Sequence, residues 1–292
     1  MLDQSREKGI IVFLRPFFAL GGTENVMNFL SSELIKRGYR VVYALGDSDN
    51  ILTKVADGVE LININYRIPQ PGSCILDHLR VLVSLAKEYR KLKTAYKDAI
   101  YVAVSAGTIS HFWAALLAGL RPLYFWMHIS VKQVYASSHN WRFNKRIFRL
   151  VDGTIVITEE MKEELQDLLG EGISNTTLVI KNPLTTKTNG SLYSPGSRRF
   201  LYVGRLSNLQ KRVDRVIKAL ALSSVGYENF ELVVVGDGED KEELQNLATQ
   251  IGVGDHIIWA GWQPDPWGYV NSIGGVEALL LTSDYEGYGM VL

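Results

Sequence analysis

The chain has one cysteine, Cys74, in 292 residues, so no disulfide can close within it and no cysteine cluster can hold zinc or an iron–sulfur centre. A lone thiol, read as a small packed side chain, fits a reducing compartment. Charge of either sign is not in excess, because 31 Lys and Arg balance 31 Asp and Glu. Nucleic-acid-binding chains carry a basic surplus, so no nucleic-acid partner is expected and any phosphate chemistry must be local. Long hydrophobic runs are missing too. Arg6 and Lys8 precede Ile10–Leu14 as in a signal peptide, but Arg15 and Pro16 end the run early. No stretch approaches the roughly 18 apolar residues of a membrane-spanning helix, and the expectation is a soluble, cytoplasmic protein. His78, His111, His139 and His256 lack metal-ligand spacing and receive no role. What the chain does have is 47% hydrophobic residues, enough to fill real cores in one large or two ordinary domains.

Short β-branched runs alternate with helical segments, the pattern of parallel sheets flanked by helices. Ile10–Leu14, Val41–Ala44, Ala99–Val104, Leu123–Trp126 and Thr154–Ile157 read as strands. Between the first two, Thr23–Lys36 places Val26, Phe29, Leu30, Leu34 and Ile35 on one helical face and stops at Gly38. A polar stretch rich in Thr, Ser, Gly and Pro follows, and divides the chain into an amino-terminal domain (1–182), a linker (183–199) and a carboxyl-terminal domain (200–292). The second series has strands at Phe200–Val203, Glu231–Val235, Ile257–Trp259 and Ala278–Leu281, with helices at Val213–Leu222 and Lys241–Ile251. Four strands and no helix after the last make this second domain read as incomplete.

Several segments carry candidate chemistry. In Tyr202-Val203-Gly204-Arg205-Leu206, a glycine ends a strand, and Arg205 and Lys211 bring positive charge to the start of the next helix, which suits a diphosphate. A solvated loop with two surface cations explains the same residues, and spacing alone leaves both readings open. Gly21-Gly22 allows close approach by a phosphate or acceptor and equally makes a tight turn. Gly236-Asp237-Gly238 lacks the third glycine of a dinucleotide fingerprint, since Lys241 stands there, which argues against a nicotinamide dehydrogenase. Asp47-Ser48-Asp49 has the bare spacing of a metal-holding pair but reads as a solvated turn after Gly46. The basic and aromatic run Trp141–Arg149 fits core packing through Phe143, Ile147 and Leu150, or peripheral membrane contact.

In order, these segments resemble the retaining glycosyltransferases of family four, which have the GT-B fold. The resemblance rests on Gly21-Gly22-Thr23-Glu24, His128 after an apolar strand, Val203-Gly204-Arg205-Leu206 with Lys211, Val235-Gly236-Asp237-Gly238, Ala260-Gly261-Trp262 and Ser283-Asp284-Tyr285-Glu286-Gly287-Tyr288-Gly289. A narrower likeness, to bacterial galactosyltransferases that extend the lipopolysaccharide core from UDP-galactose, is carried by Gln210-Lys211-Arg212-Val213, Ala260-Gly261-Trp262-Gln263, Pro266-Trp267 and Leu279–Ser283. The resemblance implies two Rossmann-like domains facing a cleft. It also implies a UDP-galactose or UDP-glucose donor, a glycan or glycolipid acceptor, no cofactor and no metal. By the same resemblance Arg205 and Lys211 hold the diphosphate, replacing a metal. His128 meets the donor sugar or presents its carbonyl there, Gly236 shapes the nucleotide pocket, and Gly261, Trp262 and Gln263 lie near the base. Acceptor choice falls to the loops Asn63–Ser73 and Val131–Asn140.

The ending, Asp284–Leu292, reads as a glycine-rich loop entering a helix, and by the resemblance Glu286 and the backbone of Gly287, Tyr288, Gly289, Met290 and Val291 face the sugar. Members of the family carry a second glutamate after seven intervening residues. Here it would fall two residues past Leu292. The expectation is therefore a truncated hexosyltransferase, with two alternatives kept: a UDP-binding remnant of weak or no activity, and a sugar-nucleotide epimerase of the same fold.

Overall fold

The computed structural model describes residues 8–18, 21–46, 51, 54–64, 75–105, 110–132, 145–170, 176–183, 191–223 and 230–291. The Asp47-Ser48-Asp49 turn, Cys74, His139, Trp141, Phe143 and most of the two acceptor loops lie outside them. The chain divides into two compact units, Met1–Thr185 and Thr186–Leu292.

The first unit runs β1 (Gly9–Arg15), α1 (Gly22–Lys36), β2 (Tyr39–Leu45), β3 (Glu60–Asn63), α2 (Ile75–Ala95), β4 (Ile100–Val104), α3 (Ser110–Leu117), β5 (Leu123–Met127), β6 (Gly153–Val156), α4 (Glu159–Leu169) and β7 (Thr177–Val179). Its strands stand in the order β3-β2-β1-β4-β5-β6-β7, all parallel. Both faces of such a sheet are covered, so its central strands are continuous apolar runs. Alternate residues divide the cores: Val12, Leu14, Phe125 and Met127 join Tyr89 and Phe112 of α2 and α3 on one side. On the other face Phe13 meets Tyr43 edge-on at 5.7 Å, and Tyr43 shares a hydrogen bond with Ser31 of α1 at 2.8 Å. Helix α1 turns a different side to the sheet than its apolar pattern implies: Glu24, Val26, Met27 and Ser31 are buried, whereas Phe29 is 42% exposed. Polar Glu24 and Ser31 take those inner positions because Arg15 and Tyr43 offer partners there.

The second unit runs β8 (Arg199–Val203), α5 (Val213–Ser223), β9 (Glu231–Val235), α6 (Lys241–Gln250), β10 (Ile257–Gly261), α7 (Pro266–Ser272) and β11 (Ala278–Leu279). Its parallel sheet has the order β10-β9-β8-β11. Helix α7 is not among the helices expected from the sequence; it starts at a capped turn, with Asp265 accepting from the Gly268 amide at 3.0 Å and Pro266 in the first turn. Leu192–Ser194, from the polar stretch read as linker, pairs with Val276: the Val276 amide donates to Leu192 O at 2.9 Å and the Ser194 amide to Val276 O at 2.8 Å.

Two local expectations are corrected. Strand β11 is two residues long, not four, because after the Leu280 amide bonds Leu201 O the chain turns aside to the loop that follows β8. Residues 287–291 lie in bends and turns. Lys145–Arg149 is a single 3-10 turn that buries Ile147 and Phe148, and Leu150 is 50% exposed, so the inner residues are neighbours in sequence and not a helical stripe. Among the described residues no helix is long and apolar enough to cross a membrane.

Candidate functional site

In both sheets the chain first builds outward on one side and then crosses to the other. The reversal lies between β1 and β4 in the first unit and between β8 and β11 in the second. Open α/β sheets bind ligands outside the carboxyl ends of the strands at such a reversal. In the second unit the two segments leaving that point are 204–215 and 280–291, and Lys211 and Glu286 face each other across it. The Lys211 ammonium donates to both Glu286 oxygens, at 2.7 and 2.9 Å, and Ser283 Oγ donates to the same carboxylate at 2.6 Å. The pair is 20% and 24% exposed, so solvent reaches it. Arg205 is exposed and, among the described residues, makes no ion pair. A nearby buried hydroxyl, Tyr202, has its pKa raised by burial and by the Glu286 charge, and donates to Arg205 O at 3.0 Å.

The two segments are stitched together around this pair. Asp284 N donates to Gln210 O at 2.9 Å, Gln210 Nε2 to Tyr285 O at 3.3 Å, and Thr282 Oγ1 contacts Lys211 O and Arg212 O at 3.2 and 2.9 Å. Arg212 adopts φ +51°, a left-handed conformation that costs any residue with a Cβ. Its guanidinium grips Asp214 through two bonds, at 3.0 and 3.1 Å, and reaches Asp284 at 3.3 Å. Those bonds from Arg212 hold the Asp214 carboxyl well below the usual range.

The glycines expected around a nucleotide have a nearer occupation. A Cβ at Gly236 would come within 1.9 Å of Gly204 O, and one at Gly238 within 2.3 Å of Leu206 O. The Gly204 amide already donates to Val235 O at 3.0 Å, and the Gly236 amide to Gly261 O at 2.8 Å. The close approach that these glycines permit is made by the neighbouring strand ends of their own sheet. Past Gly261, Gln263 Nε2 donates to Ala260 O at 2.8 Å, whereas Trp262 is 47% exposed with its ring available.

The corresponding edge of the first unit is closed and polar. Arg15, at the end of β1, donates to Ser105 O at 2.7 Å and to Glu24 Oε1 at 2.6 Å, with both charged side chains about 95% buried. Glu24 folds back over the start of α1, where a Cβ at Gly21 would meet its Oε2 at 2.9 Å; Gly21 thus makes room for that carboxylate. Ser105 Oγ receives the His128 amide at 3.0 Å. His128 is buried, its ring lies tilted against Trp126 at 4.4 Å, and its Nε2 has no hydrogen-bond partner among the described residues. Burial, then the Arg15 charge, lower its pKa to about 3, so the imidazole is neutral at physiological pH. It can donate or accept one hydrogen bond but does not enter a reaction as a cation.

Comparison with known proteins falls on both units. Residues 20–187 match the family described as Glycosyltransferase Family 4, and residues 187–292 match Glycosyl transferases group 1. The chain belongs to glycosyltransferase family 4. It is 32% identical over 177 residues to the lipopolysaccharide 1,6-galactosyltransferase of Escherichia coli, which covers 59% of this chain and 45% of that one. It is 37% identical over 148 residues to the enzyme of the same description from Salmonella typhimurium, covering 48% and 39%. The matches thus span less than half the length of these curated relatives. Among solved structures, the apo lipopolysaccharide outer core galactosyltransferase WaaB superposes with TM-score 0.68 at 23% identity, covering 97% of this chain and 76% of that one. Anabaena HepE in complex with UDP gives 0.63 at 18%, covering 97% and 76%. These likenesses show the fold, the Rossmann-like pair of the GT-B class.

In this family 4 chain the structure brings together Arg205, Lys211 and Glu286 with the turn 287–291 at one sheet end, and His128 with Gly21 and Gly22 at the end of the other. The sequence assigned no role to Arg15 and Ser105, or to Glu24, Arg212, Ser283 and Asp284, although the last four stand inside segments that carry the resemblance. Arg15 appears in the sequence only as the charge that ends an apolar run, and Glu24 only as the fourth residue of a glycine loop. A carboxylate three residues after a helix-capping glycine was the available signal for a side chain folding back over the helix start.

Proposed function

We propose that this family 4 chain is a UDP-hexose-dependent glycosyltransferase that moves galactose or glucose to a cell-surface glycan acceptor with retention. The observation that carries the reading is the Lys211–Glu286 pair, partly exposed to solvent at the reversal of the second sheet with the exposed Arg205 on the same loop. A cation and a carboxylate held side by side match the two halves of a nucleotide sugar. The diphosphate takes Lys211 and Arg205, whose charges stabilise the departing UDP, and Glu286 accepts a hydroxyl of the hexose. Trp262 offers an exposed ring for stacking the uracil. In the reaction the acceptor hydroxyl forms the new bond to the sugar carbon, the bond to the UDP oxygen breaks, and the hydroxyl proton leaves with the phosphate.

The galactosyltransferase descriptions of the E. coli and Salmonella relatives favour galactose over glucose, and acceptors of that class place the work in the cytoplasm at the inner face of the membrane. Titration calorimetry with UDP tests the donor site. Arg205→Ala and Lys211→Ala should each weaken binding roughly 30-fold, the equivalent of about 2 kcal/mol for a charge-assisted phosphate contact. Unchanged affinity in both variants overturns the assignment.

A further inference from the structure

Arg212 stands next to Lys211 in sequence, and Asp284 stands two residues before Glu286. Three ion pairs therefore bridge the same two segments, Lys211 to Glu286 and both Arg212 and Arg215 to Asp284. They differ in what a ligand does to them. A diphosphate competes with Glu286 for the Lys211 ammonium, and when it wins, one of the three bridges between the segments opens. The Arg212 bridge is not asked to exchange. Its guanidinium is fixed on the other side by two bonds to Asp214, which Lys218 also grips at 2.9 Å, and Asp284 is held a second time by Arg215 at 2.6 Å. Both sides of this bridge are thus anchored to helix α5, which begins at Val213.

The backbone of Arg212 adds an independent observation. Its φ of +51° is one that glycine adopts without strain, and only Arg198 among the other described non-glycine residues shares a positive φ. Glycine would turn the chain there more cheaply, but it could not span from Asp214 to Asp284. A strained conformation kept by a side chain with three bonds points to a task for that side chain.

We propose that Arg212 is a positioning residue: through Asp284 it keeps the 282–286 segment docked while Lys211 leaves Glu286 for the diphosphate, so that the freed carboxylate stays in place to take a hydroxyl of the donor sugar. This rests on the donor-site reading above. It gives the two cations of the Lys211-Arg212 pair separate tasks, one toward the ligand and one toward the fold.

The test compares two ligands, UDP and UDP-galactose, by calorimetry on the full chain, with thermal unfolding measured alongside. In Arg212→Gly the left-handed turn is relaxed and the Arg212–Asp284 bond is gone, leaving Asp284 on Arg215 alone. UDP affinity should stay within about twofold of the wild type, while the extra affinity that the hexose confers should fall at least fivefold. Asp284→Asn, which leaves the turn and the Arg212–Asp214 contact intact, should copy that loss and guards against a folding defect in the glycine variant. A purely structural Arg212 predicts instead that both ligands weaken in parallel as the melting temperature drops, and that result overturns the proposal, as does an unchanged hexose contribution in both variants. A wild-type chain that binds no UDP removes the donor site itself and the positioning task with it. One that binds UDP but gains nothing from the hexose removes the role of Glu286, and the positioning task of Arg212 with it.

Discussion

The two sheets end in comparable places with opposite treatments of charge. At the reversal of the first, Arg15 and Glu24 pair at 2.6 Å with 6% and 4% of their side chains exposed. At the reversal of the second, Lys211 and Glu286 pair at 2.7 Å with 20% and 24% exposed. A pair withdrawn from water cannot change partners without leaving a charge stranded in a medium that solvates it poorly. A pair that water already reaches contributes little to stability and can be exchanged for a ligand at small cost. The first unit therefore uses its ion pair to fix the geometry around Ser105 and His128, while the second leaves its pair where solvent reaches it, as the proposed donor site requires. Location in the fold is the same; desolvation decides the task.

Acidification should separate the units most widely. His111 and His128 both have pKa values lowered to about 3, chiefly by burial, while an unfolded histidine titrates near 6.5. Each therefore contributes stability in full above pH 6.5 that is lost as the pH falls toward 3, at about 1.4 kcal/mol per pH unit per histidine. In the second unit the titration that matters is Asp214, held low by Arg212, whose contribution is present above its unfolded value and lost only below about pH 4. Unfolding followed at pH 7, 5.5 and 4.5 should show the first unit melting earlier at each step, and His128→Gln should remove one proton from the slope. Equal loss in both units would erase the distinction.

A smaller effect is expected from Glu24→Gln, which keeps the shape of the side chain but strands the Arg15 guanidinium. The first unit should lose about 3 kcal/mol of unfolding free energy, with UDP binding untouched; a loss below 1 kcal/mol would mean that the pair is not locked. The mildest change belongs to Glu286→Gln. Removing the carboxylate that competes for Lys211 should tighten UDP two- to fivefold, about 0.4–1 kcal/mol, while the hexose contribution drops. Weaker UDP binding in that variant would show that Glu286 assists the phosphate contact and does not oppose it.

Much of this architecture is visible in the sequence because of where the strands sit. The central ones, such as Ile10–Leu14 and Glu231–Val235, are buried on both faces and announce themselves as apolar runs. The edge strands β3 and β7 are three or four residues long and only partly buried, so no run marks them. Helix α2, though 21 residues long, carries Leu76, Leu79 and Val83 on an exposed side, which blurs its apolar stripe. At the site, glycines and cations can be named from their order, but which carboxylate a lysine meets cannot. Lys211 and Glu286 are 75 residues apart and become neighbours only because β11 lands beside β8. The same holds for Arg15 and Ser105, 90 residues apart and joined by the pairing of β1 with β4. The left-handed turn at Arg212 is written in no residue preference at all, since arginine is a poor choice for it.

The contact of Gly236 with Gly204 sets a rule for recombining this chain with its relatives. A methyl group at 236 would lie 1.9 Å from the carbonyl oxygen of Gly204, so the ends of β8 and β9 form a lock that admits no side chain. A chimera may import a different loop after β10, where Trp262 stands clear of the sheet, and keep its foundation. One that imports the loop after β9 has to bring a glycine at position 236 with it, or the strand end beneath Arg205 will be pushed out of place along with the cation it carries.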